Sequence, residues 1–115
     1  MTIDKALITG STSMLILKLL DSQNMYGYQM IEELSKQSNN IFTLKAGTLY
    51  PLLHNLEKKG MLTSYDEKTE NARVRKYYSI TKQGRSLLDD KKEEWTIYHN
   101  TVNIVLKGGA IFAEV

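Results

Sequence analysis

The side chains able to do acid–base or metal chemistry are few in this sequence. His54 and His99 are the only histidines, cysteine is absent, and no Gly-rich phosphate loop occurs. Without cysteine there is no thiol nucleophile, no thiolate metal site and no disulfide. Two isolated histidines with no cluster of acidic partners make neither a metal-ligand set nor a nucleophile–base pair. Asp89, Asp90, Glu93 and Glu94 recur at i, i+4 spacing, but Lys91 and Lys92 stand between them, and the stretch reads as a solvated helix face. No cofactor, no metal and no catalytic activity are expected.

The chemistry the sequence does support is charge attraction. The net charge is only +2, but it is unevenly spread. Residues 36–82 carry Lys36, Lys45, Lys58, Lys59, Lys68, Arg73, Arg75, Lys76 and Lys82 against Glu57, Asp66, Glu67 and Glu70. The segments before and after are both net acidic. A local basic surface is the electrostatic footprint of a nucleic-acid binder, although on charge alone a plain solvated surface is the favoured reading. The elements that place these cations must therefore decide.

At 115 residues, 42% hydrophobic and 24% charged, the chain has room for one globular domain and one modest core. No apolar run nears the ~20 residues that span a bilayer. The start Met1-Thr2-Ile3-Asp4-Lys5 has no secretory pattern. A cytoplasmic protein without a membrane partner is expected.

The first strong element is Met14–Leu20, apolar at all but one position, and it reads as a buried helix capped by Ser11 or Thr12. A second helix starts near Tyr26-Gly27-Tyr28. Gly27, Met30, Ile31 and Leu34 share one of its faces, and Ser38-Asn39-Asn40 ends it. Leu49, Leu52, Leu53 and Leu56 make the same stripe on a third helix, closed by Gly60. Pro51 requires that helix to begin between Leu44 and Thr48, with Thr43 as cap, or to kink. Met61–Asp66 and Val74–Ile80 read as the strands of a hairpin, with Tyr78 and Ile80 facing the core. Thr81 caps a final helix from about Lys82 to Lys107, stopped by Gly108-Gly109.

The order is three helices, a hairpin and a long helix, a mainly α fold with a small β-hairpin (α+β). The second and third helices form a helix-turn-helix and the hairpin is its wing. Residues 1–81 make this winged helix-turn-helix domain, 82–108 a long C-terminal dimerisation helix and 109–115 a tail. With the leucine stripe inward, Gly47, Pro51, His54 and Lys58 lie on the far side of the third helix, flanked by Thr48, Tyr50 and Asn55. That face is small, polar or basic, as entry into a major groove requires. The final helix of ~39 Å is too long for the core of so small a chain to cover. Leu88, Trp95 and Val102 are seven apart, with Tyr98 and Val105 as a second row, and this seam calls for a second copy of the chain.

The blocks Gly47-Thr48-Leu49-Tyr50-Pro51-Leu52-Leu53, Leu56-Glu57-Lys58-Lys59-Gly60, Arg75-Lys76-Tyr77-Tyr78-Ser79-Ile80-Thr81 and Gly84-Arg85, preceded by Tyr26-Gly27-Tyr28, resemble the PadR family of bacterial transcriptional regulators. The likeness spans about residues 10–88, and one helix after the wing matches the family's smaller subgroup. It implies a winged-helix homodimer, usually a repressor, on an inverted-repeat operator in double-stranded DNA. It also implies a response to small aromatic or lipophilic effectors. Thr48, Tyr50 and Pro51 match the family's recognition-helix block, and Arg75 and Lys76 match its basic wing block. Charge and position add Lys45, His54, Asn55, Lys58 and Arg73 as DNA-facing residues. Two readings stand for Tyr50, a DNA contact or packing at the helix flank. Two also stand for Trp95, an interface anchor or one wall of an effector pocket. The competing function is a winged helix used only for docking to another protein, which has no need of Arg73, Arg75 and Lys76 beside a basic helix.

Overall fold

The computed structural model describes residues 2–109. The order is α1 (Lys5–Ser22), β1 (Met25–Tyr26), α2 (Gly27–Gln37), α3 (Ala46–Lys58), β2 (Leu62–Lys68), β3 (Val74–Ile80) and α4 (Lys82–Leu106). This is the α+β winged helix expected from the pattern, with one addition. The two-residue β1 joins the hairpin, giving an antiparallel sheet in the order β1-β3-β2. Met25 pairs with Tyr78 and Tyr26 with Tyr77, so the chain enters α2 from the edge of the wing sheet.

Burial explains why the elements meet where they do. Ile16, Leu17, Leu19 and Leu20 of α1 are buried nearly all round, as a central helix requires. Met30 and Leu34 of α2, and Leu49, Leu53 and Leu56 of α3, close over it. Tyr78 and Ile80 enter from β3, and Leu88 enters from α4. The α3 terminus is locally determined. Gly60 takes a φ of 79°, its N–H bonds to the Glu57 carbonyl, and the Met61 N–H bonds to the Leu56 carbonyl. That pair of bonds satisfies carbonyls that the helix end would otherwise orphan. Gly84 is needed for proximity. A Cβ there would strike the Met61 carbonyl oxygen and come within 2.7 Å of Ile80 Cγ1.

Three expectations are corrected. The first helix starts nine residues before Met14, at Lys5, with Asp4 accepting from the Ala6 N–H at 2.9 Å as its cap. Ser11 and Thr12 are not caps, because their hydroxyls donate back to the Ile8 carbonyl, at 3.2 and 2.7 Å, inside the helix. Nor does Thr43 cap α3. Lys45 occupies that position and makes no side-chain capping bond. Leu88 does not belong to the dimer seam, since it is only 1% exposed within this chain's own core. The first two turns of α4 are thus part of the winged-helix core. The Thr81 cap is as expected, its hydroxyl accepting from the Gly84 N–H at 3.0 Å. Of the proposed tail, residues 110–115 lie outside the described residues.

Tyr78 supplies a test of the core. Burial, with the Glu57 carboxylate and the Tyr50 phenol nearby, raises its phenol above the ordinary 10.0. The unfolded chain then releases this proton at lower pH than the folded one. Stability is complete below about pH 10 and falls as pH climbs from there toward the folded value. Tyr78→Phe removes this term. Thermal melts between about pH 9 and 11 should show the variant losing less stability than the parent.

Candidate nucleic-acid interface

On α3 the apolar and polar stripes separate cleanly. Leu49, Leu53 and Leu56 are buried, whereas Gly47, Thr48, Pro51, His54, Asn55 and Lys58 are exposed. Lys45 is exposed at the N-terminal end of the same helix. The sequence-predicted face therefore exists as one surface. Pro51 sits in the second turn and has no N–H to give the Gly47 carbonyl, on the exposed side.

Tyr50 lies differently from its neighbours. It is half-buried, and its ring fills the space where a Gly27 side chain would be. A Cβ on Gly27 would strike its hydroxyl and lie 2.6 Å from Cζ. The structure thus gives Tyr50 a packing role at the crossing of α2 and α3. The glycine of Tyr26-Gly27-Tyr28 is there because of it, a pairing that no single-helix pattern displays.

The wing contributes the cations. Arg73 and Lys76 are exposed and Arg75 is half-buried. In the hairpin register Arg75 is opposite Glu67 and Lys76 opposite Asp66. Neither cross-strand pair forms an ion pair; among the described residues the one ion pair is Arg85–Asp21, at 3.4 Å between α4 and α1. Arg75 instead lies over the Tyr26 ring, its guanidinium carbon 4.2 Å from the centroid, and Lys76 Nζ is 5.8 Å from that of Tyr78. Between the wing, the start of α2 and α3 is a cleft of about 520 Å³, lined by Tyr26, Tyr28, Tyr50, Arg73, Arg75 and Lys76 among others. In the sequence Tyr26 and Tyr28 stand out only as part of the Tyr26-Gly27-Tyr28 motif. The signal for their role was the alternation of Arg75 and Tyr77 on the outward face of one strand.

The seam is a second surface. Every residue from Lys92 to Leu106 is exposed. Trp95 (47%), Tyr98 (57%), Val102 (37%) and Val105 (68%) bare their apolar groups, together with Ile97, Ile104 and Leu106. Trp95 is 5.6 Å from His99 and 6.4 Å from Tyr98, ring to ring. A cleft of about 390 Å³ opens beside it, between Leu7, Gly10 and Met14 of α1 and Glu94, Trp95 and Tyr98 of α4. No described helix is long and apolar enough to cross a membrane. Among the described residues no three His, Cys, Asp or Glu side chains converge as metal ligands.

Known proteins share this arrangement. The family model of the transcriptional regulator PadR-like family matches residues 16–90. An uncharacterised protein of Lysinibacillus sphaericus is 32% identical over 102 residues, covering 89% of this chain and 94% of its own length. The solved structure of a transcriptional regulator from Clostridium thermocellum superposes with a TM-score of 0.80 at 31% identity, covering 86% of this chain and 96% of that one. A PadR family transcriptional regulator from Eggerthella lenta gives 0.81 at 30% identity, covering 90% and 88%.

The Gly27–Tyr50 contact can be tested directly. Gly27→Ala forces the ring out of its seat and should cost about 1–3 kcal/mol of stability, the usual penalty for overpacking. Tyr50→Leu in the same background vacates the seat. Thermal denaturation of the pair should therefore show a double variant less destabilised than the sum of the two single ones.

Proposed function

Because the chain belongs to the PadR-like family of transcriptional regulators, we propose that it is a homodimeric repressor of its own or a neighbouring gene, acting on an inverted-repeat operator. The observation that carries the reading is the set of unpaired cations on the wing together with the exposed polar and basic face of α3. Arg73, Arg75 and Lys76 line one cleft with Glu32 and with Tyr50 of α3, and among the described residues none of the three cations is in an ion pair. In this reading Thr48, Pro51, His54 and Asn55 of α3 meet base edges. Lys45, Lys58, Arg73, Arg75 and Lys76 meet phosphates and set the register. A two-fold dimer presents two such helices, so half-sites should lie about 34–36 Å apart or a multiple of that.

The dimer is proposed through α4. A helix whose last four turns are exposed and apolar on one stripe is marginal alone and stable when a second copy covers that stripe. Trp95, Tyr98, Val102 and Val105 keep heptad spacing there. The cleft beside Trp95 has the apolar lining and flat aromatic wall that suit a small aromatic or lipophilic effector. An effector bound there would release the operator by changing how the two long helices pack.

Three experiments check this. The first is titration of the DNA upstream of the gene, with random duplex as control. If a dimer neutralises about six to ten phosphates, affinity should fall about 10³–10⁵-fold between 50 and 200 mM salt. Thr48→Ala should cost more on the operator than on random duplex. A folded protein with no DNA affinity would favour the docking module instead. The second is sedimentation at micromolar concentration. Trp95→Ala should weaken dimerisation by about 2 kcal/mol, as loss of a central aromatic anchor does, with DNA affinity falling alongside. A ligand screen should quench or shift the Trp95 fluorescence of the parent.

A further inference from the structure

The outward face of the wing sheet carries a row of tyrosines in strict register. Tyr26 of β1 pairs with Tyr77 of β3, which pairs with Tyr65 of β2. The Tyr26 ring meets Tyr77 edge-on at 5.4 Å, and Tyr77 stacks on Tyr65 at 5.7 Å with 14° between planes. The far end of the row is tied. Asn24 Nδ2 donates to the Tyr65 hydroxyl at 3.1 Å, and its Oδ1 accepts from the Ser79 hydroxyl at 2.9 Å. Tyr26 therefore cannot turn without disturbing all three strands.

Arg75 rests on the open face of this fixed ring, 4.2 Å from its centroid. Glu67 is its direct cross-strand neighbour, yet the two do not form an ion pair. This choice of partner has a consequence. A carboxylate would occupy the N–H groups along the guanidinium edge, which are the groups that grip a phosphate. An aromatic ring engages the flat face and leaves the edge donors free. Arg75 lines the cleft between the wing and the start of α2, where a DNA phosphate would enter.

We propose that Tyr26 is a positioning residue of the DNA interface, holding the Arg75 guanidinium over its ring so that the edge donors are ready for a phosphate in this cleft. The inference rests on the reading that the wing meets DNA. It explains why an aromatic residue stands at the start of the helix-turn-helix, on a strand too short to need one. It also makes Arg75 more than a positive charge. Lysine at that position would keep the charge and lose both the planar fork and the flat face.

The test replaces Tyr26 by phenylalanine and by mono-, di- and trifluorinated phenylalanine, which keep the ring shape while draining its negative face. Affinity for operator and for random duplex is measured at fixed salt in the parent and in the Arg75→Ala background, with thermal melts of every variant. The phenylalanine variant should bind as the parent does. Affinity should then drop in step with fluorination, by about two- to fivefold in all, the size of an exposed cation–π contact. The drop should be equal on both DNAs and absent without Arg75. A flat series in a protein that Arg75→Ala does weaken overturns the positioning role alone. A drop that persists without Arg75 shows a structural effect of the ring and also overturns it. If Arg75→Ala binds DNA as tightly as the parent, both the inference and the wing contact beneath it fail.

Discussion

Strand β3 is the constraint on which the rest depends. It is the central strand, pairing with β1 on one side and β2 on the other, and its two faces have unrelated tasks. Inward, Tyr78 and Ile80 are buried against the helices. Outward, Arg75 and Tyr77 share the other side, as the period of two demands. Because Met25 and Tyr26 are hydrogen-bonded to this strand, the start of α2 is tied to the wing. Helix α3 and the wing then hold one geometry, and among the described residues no direct bond between α3 and the wing tip is needed for it. A one-residue slip of β3 would expose Tyr78 and bury Arg75, so the core itself enforces the register that presents the cation.

Much of this was legible in the sequence because the two helical stripes and the strand alternation are periodic. Met30 and Leu34, then Leu49, Leu53 and Leu56, fall where burial places them. Gly60 marked a true helix end, and Thr81 a true helix start. What stayed hidden was non-periodic. Strand β1 has two residues, too few to show alternation, and exists only because β3 has a free edge beside it. The first half of α1 contains Thr9, Gly10, Ser11 and Thr12, all poor helix formers, and the hydroxyls of Thr9, Ser11 and Thr12 are absorbed by their own helix. The Gly27–Tyr50 contact joins two helices 23 positions apart in the chain, and no local pattern announces it. The site was therefore readable as a face but not as a cleft. Which side chains stood on α3 followed from rotation about one axis, whereas Tyr26, Tyr28 and Tyr50 converge on the wing only in three dimensions.

The seam on α4 shows the limit of spacing arguments from the other side. Leu88, Trp95 and Val102 are equally spaced, yet Leu88 is buried in the chain's own core and Trp95 is half exposed. The helix passes from one environment to the other between them. Periodicity identifies a face of a helix and cannot say which neighbour covers it at each turn. Here the winged-helix core covers the first two turns, and the exposed apolar stripe begins where that core ends.

That division gives the long helix its mechanical meaning under the proposed function. An α-helix is stiff over this length, so Leu88 and Trp95, two turns apart, move together. Gly84 fixes the start of α4 against Met61 and Ile80, at the base of the wing, through contacts with no room for a Cβ, and Leu88 is buried in the core one turn further on. Any rotation of α4 forced at Trp95 must therefore either unpack that base or carry the whole winged helix with it. A close-packed base resists the first outcome, because packed interiors shift as units more readily than they deform. Movement of the dimer seam would then appear as a change in the distance between the two recognition helices. An inverted-repeat site at fixed spacing is sensitive to that quantity.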